Sequence, residues 1–152
     1  MNSVIEYGGS KASASDIELH LKKCDAFFIP KLSARVNIEA YSKKIADKAM
    51  CFEAWSIDVL VGVIAVYYSP AKPDSAYITN VSVLPDFQRR GIAFALLDNL
   101  LSTLRRSGCK SVQLEVGAEN TRAINFYTGF GFVEKNVKEG NIVMSLEFFG
   151  VN

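Results

Sequence analysis

The chain has 152 residues, 49% of them hydrophobic, 22% charged and 11% aromatic, which is material for one core and predicts one domain over residues 1–152. Seventeen basic against sixteen acidic residues leave a formal net charge of +1, so no global field recruits nucleic acid or an anionic membrane, and any polyanion must be held locally. The longest apolar run, residues 59–68, falls well short of the roughly 20 residues a membrane span needs, and Glu6 with Gly8-Gly9 breaks the amino terminus where a signal peptide needs its apolar stretch, so a cytoplasmic location is expected.

Residues 3–7 read as a short edge strand. Ser13 or Ser15 then caps a helix running to Cys24, on which Ile17, Leu19 and Leu21 are apolar and His20 is expected at the surface. Pro30 interrupts the chain before a second helix over 34–49, where Val36, Ile38, Tyr41, Ile45 and Ala49 recur near three- and four-residue spacing. Two runs rich in β-branched and aromatic residues, 51–55 and 59–68, predict an antiparallel hairpin turning at Ser56-Ile57-Asp58. A third strand over 76–84 should end at Pro85, which has no amide hydrogen for a ladder.

A helix opens at Gly91, with Ile92, Leu96, Leu97, Leu100, Leu101 and Leu104 on one face, Arg105 and Arg106 in its last turn and Gly108 as a left-handed cap. Residues 112–116 follow as a strand and 121–128 as a short helix closed by Gly129; strands over 130–135 and 142–148 are joined near Glu139-Gly140-Asn141. A three-strand meander followed by β-α-β-α-β predicts a mixed sheet with helices on its faces and a ligand crevice near the 84–91 turn.

Cys24, Cys51 and Cys109 form an odd set without close pairing, so free and mostly buried thiols are expected. Cys109 lacks a neighbouring histidine and is a poor candidate for a nucleophile. With His20 the single histidine and no C-x-x-C or H-x-x-x-H spacing, no metal site is expected.

The segment that carries chemistry runs Val81-Ser82-Val83-Leu84-Pro85-Asp86-Phe87-Gln88-Arg89-Arg90-Gly91-Ile92-Ala93. Gly91 and Ala93 let a ligand approach the backbone, the unpaired amides of a helix amino terminus suit a phosphate, and Arg89 and Arg90 add positive charge. The turn lacks the Lys-Ser/Thr of a P-loop and the spaced glycines of a dinucleotide site.

Gln88-Arg89-Arg90-Gly91-Ile92-Ala93 resembles the acetyl-CoA motif, Gln/Arg-x-x-Gly-x-Gly/Ala, of the GCN5-related N-acetyltransferase (GNAT) family. A second block, Leu114-Glu115-Val116, then Asn120, Ala123, Phe126-Tyr127 and Gly129-Phe130-Gly131-Phe132, is similar to that family in order and spacing. The resemblance covers about residues 50–148, and it implies an α/β (α+β) fold: a mixed, mostly antiparallel sheet of six to seven strands, flanked by four helices, with strands 4 and 5 splayed. Residues 50–148 would bind acetyl-CoA, without a metal, and the helical first 49 residues would face the acceptor.

By that resemblance Val81 and Val83 offer strand backbone to the pantetheine arm, the amides from about Arg89 through Arg90, Gly91 and Ile92 to Ala93 cradle the pyrophosphate, and Gln88 is a further cofactor-binding residue. The Val83 amide would stabilise the oxyanion. Asn120, Ala123 or Ile124, and Tyr127 fall on one helix face, which would meet the cofactor, although an asparagine before a helix is also an N-cap. Tyr127, with an unperturbed pKa of about 10, is the candidate proton donor to the departing thiolate, or a packing residue.

Glu115 matches a glutamate that amino-terminus-acetylating members place twelve residues before their tyrosine, and it is the candidate base or an acceptor-ordering group. Partial desolvation would tune it as a base. Tyr77, Thr79 and Asn80 are the alternatives, as holders of water. Trp55, Tyr67, Tyr68, Phe27 and Phe28 line an acceptor pocket or pack in the core. The implied activity is direct acetyl transfer to a primary amine in a ternary complex, by a monomer or homodimer. A small-molecule acceptor is preferred, a protein amino terminus or lysine is the alternative, and a CoA-binding sensor without chemistry is the rival from another class.

Overall fold

The computed structural model describes residues 4–148, in which the periodicities resolve into seven strands and four helices in the order β1 (Glu6–Gly9), α1 (Ala14–Cys24), α2 (Ile38–Lys48), β2 (Met50–Ser56), β3 (Val59–Ser69), β4 (Lys72–Val83), α3 (Ile92–Arg106), β5 (Ser111–Gly117), α4 (Thr121–Gly129), β6 (Val133–Lys138) and β7 (Asn141–Glu147). The sheet order is β1-β2-β3-β4-β5-β7-β6, and every neighbouring pair is antiparallel except β4–β5. One face carries α3, whose Leu96, Leu97, Leu100 and Leu104 pack with Ile64, Val66, Ile78, Val112 and Leu114. The other face packs Ile17 and Leu21 of α1 and Ile45 of α2 with Cys51, Trp55, Val63 and Ala65.

Two irregularities in β4 position the cleft. The parallel ladder with β5 is three pairs long, from Ser75↔Ser111 to Tyr77↔Gln113, and beyond it the two strands diverge. The register against β3 also slips, because Ala65 faces Asn80 while Val66 faces Ile78, so Thr79 is an extra residue in a β-bulge. The bulge exchanges faces: Ile78 joins the α3-side core, and Asn80 and Ser82 turn toward α1 and α2.

Several expected boundaries move for local reasons. The edge strand begins at Glu6, two of its expected residues, Val4 and Ile5, are outside it, and Ser3 lies outside the described residues. Of the two candidate caps it is Ser13 that closes a capping box with Asp16. The second helix starts at Ile38 instead of 34, because the Asn37 side chain accepts the Ala40 amide and leaves Leu32–Ala34 as a separate 3-10 turn. Gly108 is left-handed as expected, at φ +85°. In the last helix Gly129 stays helical, and it is Gly131, at φ +103°, that reverses the chain and sends Phe132 into the core, which delays β6 to Val133.

His20 corrects the expectation of a surface histidine. It is 2% exposed, with Nδ1 2.9 Å from the Leu60 carbonyl oxygen and Nε2 2.9 Å from Ser82 Oγ. Burial lowers its pKa from 6.5 to about 4. Between those two values the unfolded chain binds a proton on this ring that the folded chain does not, so stability falls with pH across that window. The loss amounts to roughly 3 kcal/mol once the pH is below the folded value. We expect His20→Gln to lose less stability than wild type in urea unfolding between pH 7 and pH 4.5. Equal losses would contradict a neutral buried ring.

Glu53 is a second buried polar group without a sequence signal. It is 0% exposed and accepts from the Lys11 and Ala12 amides and from Trp55 Nε1, which pins the segment leading into α1 against β2. The three cysteines are free and buried.

Candidate active site

The turn between β4 and α3 is assembled from local devices. Pro85–Phe87 is a 3-10 turn, and the Gln88 side chain reaches back so that Nε2 donates to the Val83 carbonyl at 3.2 Å. Arg89 at φ +65° and Gly91 at φ +77° both have positive φ, a backbone conformation of the kind from which anion nests are built. The first turn of α3 adds amides that have no intrahelical acceptor. A Cβ on Gly91 would meet nothing within 4 Å, so the space before the turn is open. The Arg90 guanidinium lies 4.9 Å above the Phe87 ring, which keeps its charge at the turn. Ile92 is buried in the core, so only its backbone is free to face a ligand, and Ala93 is half-buried.

The turn is anchored through Gly62 on β3, where a Cβ would come within 2.9 Å of Ile92 Cγ2 and 3.3 Å of Leu96 Cδ1. Gly62 pairs with Val83, so the start of α3 rests beside the end of β4. The Leu84 amide donates to the Val61 carbonyl at 2.8 Å, which sets the alternation of the strand. Amides of Ser82 and Leu84 face β3, and those of Val81 and Val83 face β5, which has diverged at this height. Their side chains pack on the α3-side core while their amides open into the gap, where the Val83 carbonyl accepts from Gln88.

The gap leads to a cleft of about 240 Å³ lined by Tyr77, Thr79, Asn80 and Val81 of β4, Glu115 to Gly117 at the end of β5, and Asn120, Ala123 and Tyr127 of α4. The structure therefore brings Val81, Glu115, Asn120 and Tyr127 together, whereas Val83 and residues 88–93 stand beyond its lining, on the turn. The α4 face meets the cleft through Asn120, Ala123 and Tyr127; Ile124 packs toward the core instead. Asn120 is also the N-cap, its Oδ1 accepting the Ala123 amide at 3.2 Å.

Tyr127 is 8% exposed, with Phe126 and Phe132 edge-on at 5.4 and 5.7 Å. Burial pushes its phenol above the ordinary 10 and holds it protonated. Glu115 faces solvent, so the desolvation expected for it is absent, and its Oε2 accepts the Tyr77 phenol at 2.9 Å. The Tyr77 phenol is likewise raised, first by burial and then by the Glu115 carboxylate, and stays a donor.

The far wall has no signal in the sequence beyond the break at Pro30. Phe28, Ile29 and Pro30 run past the end of β5 so closely that a Cβ on Gly117 would lie 2.9 Å from the Ile29 carbonyl oxygen. Leu32, Arg35, Val36, Tyr41 and Asn141 complete the lining. Of the aromatic residues considered for the acceptor side, Phe28 lines this cleft, Trp55 is core, and Phe27 is 61% exposed. Tyr67 and Tyr68 line a larger groove of about 400 Å³ across Tyr77, together with Lys48, Lys72 and Gln113. That larger opening reaches neither Tyr127 nor Val81 and Val83 of β4, so the smaller one is the candidate site.

Comparison with known proteins places this geometry. The family model described as Acetyltransferase (GNAT) family matches residues 18–132. The chain is 40% identical over 65 residues to the [Ribosomal protein bS18]-alanine N-acetyltransferase of Escherichia coli K12, a match covering 43% of this chain and 44% of that protein, so it spans less than half the length of that curated relative. Among solved structures, the PaiA N-acetyltransferase of Thermoplasma acidophilum in complex with coenzyme A superposes with a TM-score of 0.72 at 16% identity, covering 95% of this chain and 99% of that one. Naa50 of Arabidopsis thaliana, in complex with the bisubstrate analogue CoA-Ac-MVNAL, does so with a TM-score of 0.71 at 24% identity and the same coverage. With the family match spanning both the β4–α3 turn and the Tyr127 helix, on a sheet whose fourth and fifth strands part after three pairs, the chain belongs to the acetyltransferase (GNAT) family.

Proposed function

We propose that the protein is an acetyl-CoA-dependent N-acetyltransferase whose acceptor is the amino terminus of a peptide or protein. The observation that carries the cosubstrate is the gap between β4 and β5, where the backbone of Val81 and Val83 is free of the sheet between the Gly91 turn and Tyr127. Pantetheine amides would pair with that backbone, and the pyrophosphate would sit on the amides of residues 88–93. Support for a peptide acceptor comes from the alanine specificity in the name of the Escherichia coli relative and from the peptide analogue held by the Arabidopsis neighbour. In this chain the 28–30 segment, with Ile29 53% exposed, walls the side of the cleft opposite α4 and would receive such a chain.

In this reading Glu115 takes a proton from the acceptor ammonium, directly or through water held by Tyr77. The freed lone pair forms the C–N bond, the Val83 amide donates to the thioester oxygen as its charge grows, and the C–S bond breaks. As it does, the nitrogen releases its second proton to water, Tyr127 gives its proton to the sulfur, and the phenol regains one from that water. The three cysteines take no part, and the cytoplasm, as a reducing compartment, suits their free thiols.

The test is release of CoA thiol from acetyl-CoA with two panels, peptides that begin with alanine and other residues, and small amines and polyamines. Faster turnover on peptides is expected. Turnover confined to small amines would replace the acceptor class, and CoA binding without any turnover would favour a sensor.

Glu115→Gln should lower the rate at neutral pH by about 10- to 100-fold, with part of the loss recovered at high pH, where more of the acceptor amine is already deprotonated. A pH-independent loss accompanied by a raised acceptor KM would mean that Glu115 binds the acceptor and does not accept the proton.

A further inference from the structure

A buried polar chain runs from α1 to the cleft. His20, 2% exposed, has Nδ1 2.9 Å from the Leu60 carbonyl oxygen and Nε2 2.9 Å from Ser82 Oγ. Ser82 Oγ in turn stands 2.8 Å from Oδ1 of Asn80, which is 6% exposed and lines the cleft beside Thr79 and Tyr41. The bulge at Thr79 is what turns Asn80 and Ser82 onto this face.

The protons of this chain can be counted. Each contact of 2.8 to 2.9 Å needs one hydrogen between its two atoms. The Leu60 carbonyl brings none, so His20 Nδ1 carries it, and a neutral ring then leaves Nε2 bare. An imidazolium is disfavoured here, because the ring is buried, the nearby Lys23 is cationic, and no carboxylate is among the ring's hydrogen-bond partners. Cys24 Sγ, 3.7 Å from Nε2, is a weak donor to the same lone pair and does not alter the count. The single proton of Ser82 therefore goes to Nε2, and the hydrogen between Ser82 and Asn80 has to come from Asn80. The oxygen and nitrogen of a side-chain amide are distinguished only by such a network.

We propose that His20 and Ser82 are positioning residues that turn the Asn80 amide, so that its NH₂ donates to Ser82 Oγ and its carbonyl oxygen faces the cleft to accept an N–H of the acceptor. The acceptor contact rests on the acetyl-transfer reading above; the orientation of Asn80 does not. In the bound acceptor the N–H is that of the attacking amine or of the first peptide bond, and the carbonyl adds no charge of its own to the cleft.

Two measurements test this. In ¹⁵N-labelled wild type at pH 7, the side-chain correlations of His20 should show a protonated Nδ1 and a bare Nε2; an Nε2–H tautomer or an imidazolium overturns the proposal. Ser82→Thr and Ser82→Val have the same shape and differ by the hydroxyl. With a synthetic peptide carrying an amino-terminal alanine, the threonine variant should keep an acceptor KM within about 3-fold of wild type, while the valine variant raises it about tenfold with kcat little changed.

Equal KM values for the two variants overturn the role of the relay, whatever their melting temperatures. Absence of turnover with every acceptor, together with the expected tautomer, would remove the acetyl-transfer reading and the acceptor contact while leaving the orientation of Asn80 supported.

Discussion

Tyr127→Phe should lower kcat by roughly 10- to 1000-fold while CoA binding and stability barely change. The substitution removes one hydroxyl from a ring held by edge contacts with Phe126 and Phe132, and a phenylalanine keeps both contacts. What is lost, in the proposed mechanism, is the proton destined for the departing thiolate. Because burial raises the phenol above 10, the donor stays protonated through the alkaline limb of a pH–rate profile. The wild-type rate should then show no decline from Tyr127 ionisation up to about pH 10, and the variant should follow the same profile at a lower level. Single-turnover measurement with a saturating acceptor isolates the step. A kcat within twofold of wild type under those conditions would make Tyr127 a packing residue.

Gly91→Val should abolish the stabilisation by CoA. At φ +77° a β-branched residue is strained, and the turn would relax toward negative φ, which removes the nest-type conformation of Arg89 and Gly91. No neighbour lies within 4 Å of the added Cβ in the free protein, so the fold itself should survive with a modest loss, while the side chain projects into the space meant for a phosphate. At a CoA concentration of 100 Kd, wild type gains about 2.7 kcal/mol. In a chain of this size that corresponds to roughly 5–10 °C in Tm. A hundredfold weaker variant keeps only about 0.4 kcal/mol of that gain at the same concentration, or about 1 °C. Circular dichroism verifies that the variant is folded. An undiminished shift in a folded Gly91→Val protein would place the phosphates elsewhere.

The parts legible in the sequence are those determined by residues close together in the chain. The leucine stripe from Ile92 to Leu104 and the left-handed Gly108 specify α3 by periodicity and capping alone. Residues 88–93 are legible as the proposed anion-binding turn because the chemistry proposed for them resides in the backbone of that short segment. The single face formed by Asn120, Ala123 and Tyr127 follows from helical spacing, and the cleft confirms that these three share it. Boundaries were lost where two local signals competed, as at Asn37, whose cap overrode the apolar spacing that began at 34, and at Gly131, which reversed the chain where Gly129 was expected to.

Other features depend on which distant elements meet, and only the tertiary structure decided them. His20 reads as a polar helix residue, yet α1 lies on β3 and β4, so the ring is buried against Leu60 and Ser82, 40 and 62 residues away. Glu115 reads as a strand carboxylate that a cleft wall would desolvate, but β5 leaves β4 after three pairs, and the widening gap admits water to it. The bulge at Thr79, which exchanges the faces of β4 and delivers Asn80 to the cleft, is a register between two strands and has no counterpart in either strand alone. By itself the sequence determined the helices, the turn that joins β4 to α3 and the family resemblance, because capping, periodicity and short motifs act over a few residues. The opening of the sheet, the burial of His20 and the wall at Phe28 to Pro30 were settled by packing across 30 to 90 residues of chain, where a side chain's surroundings are supplied by other elements.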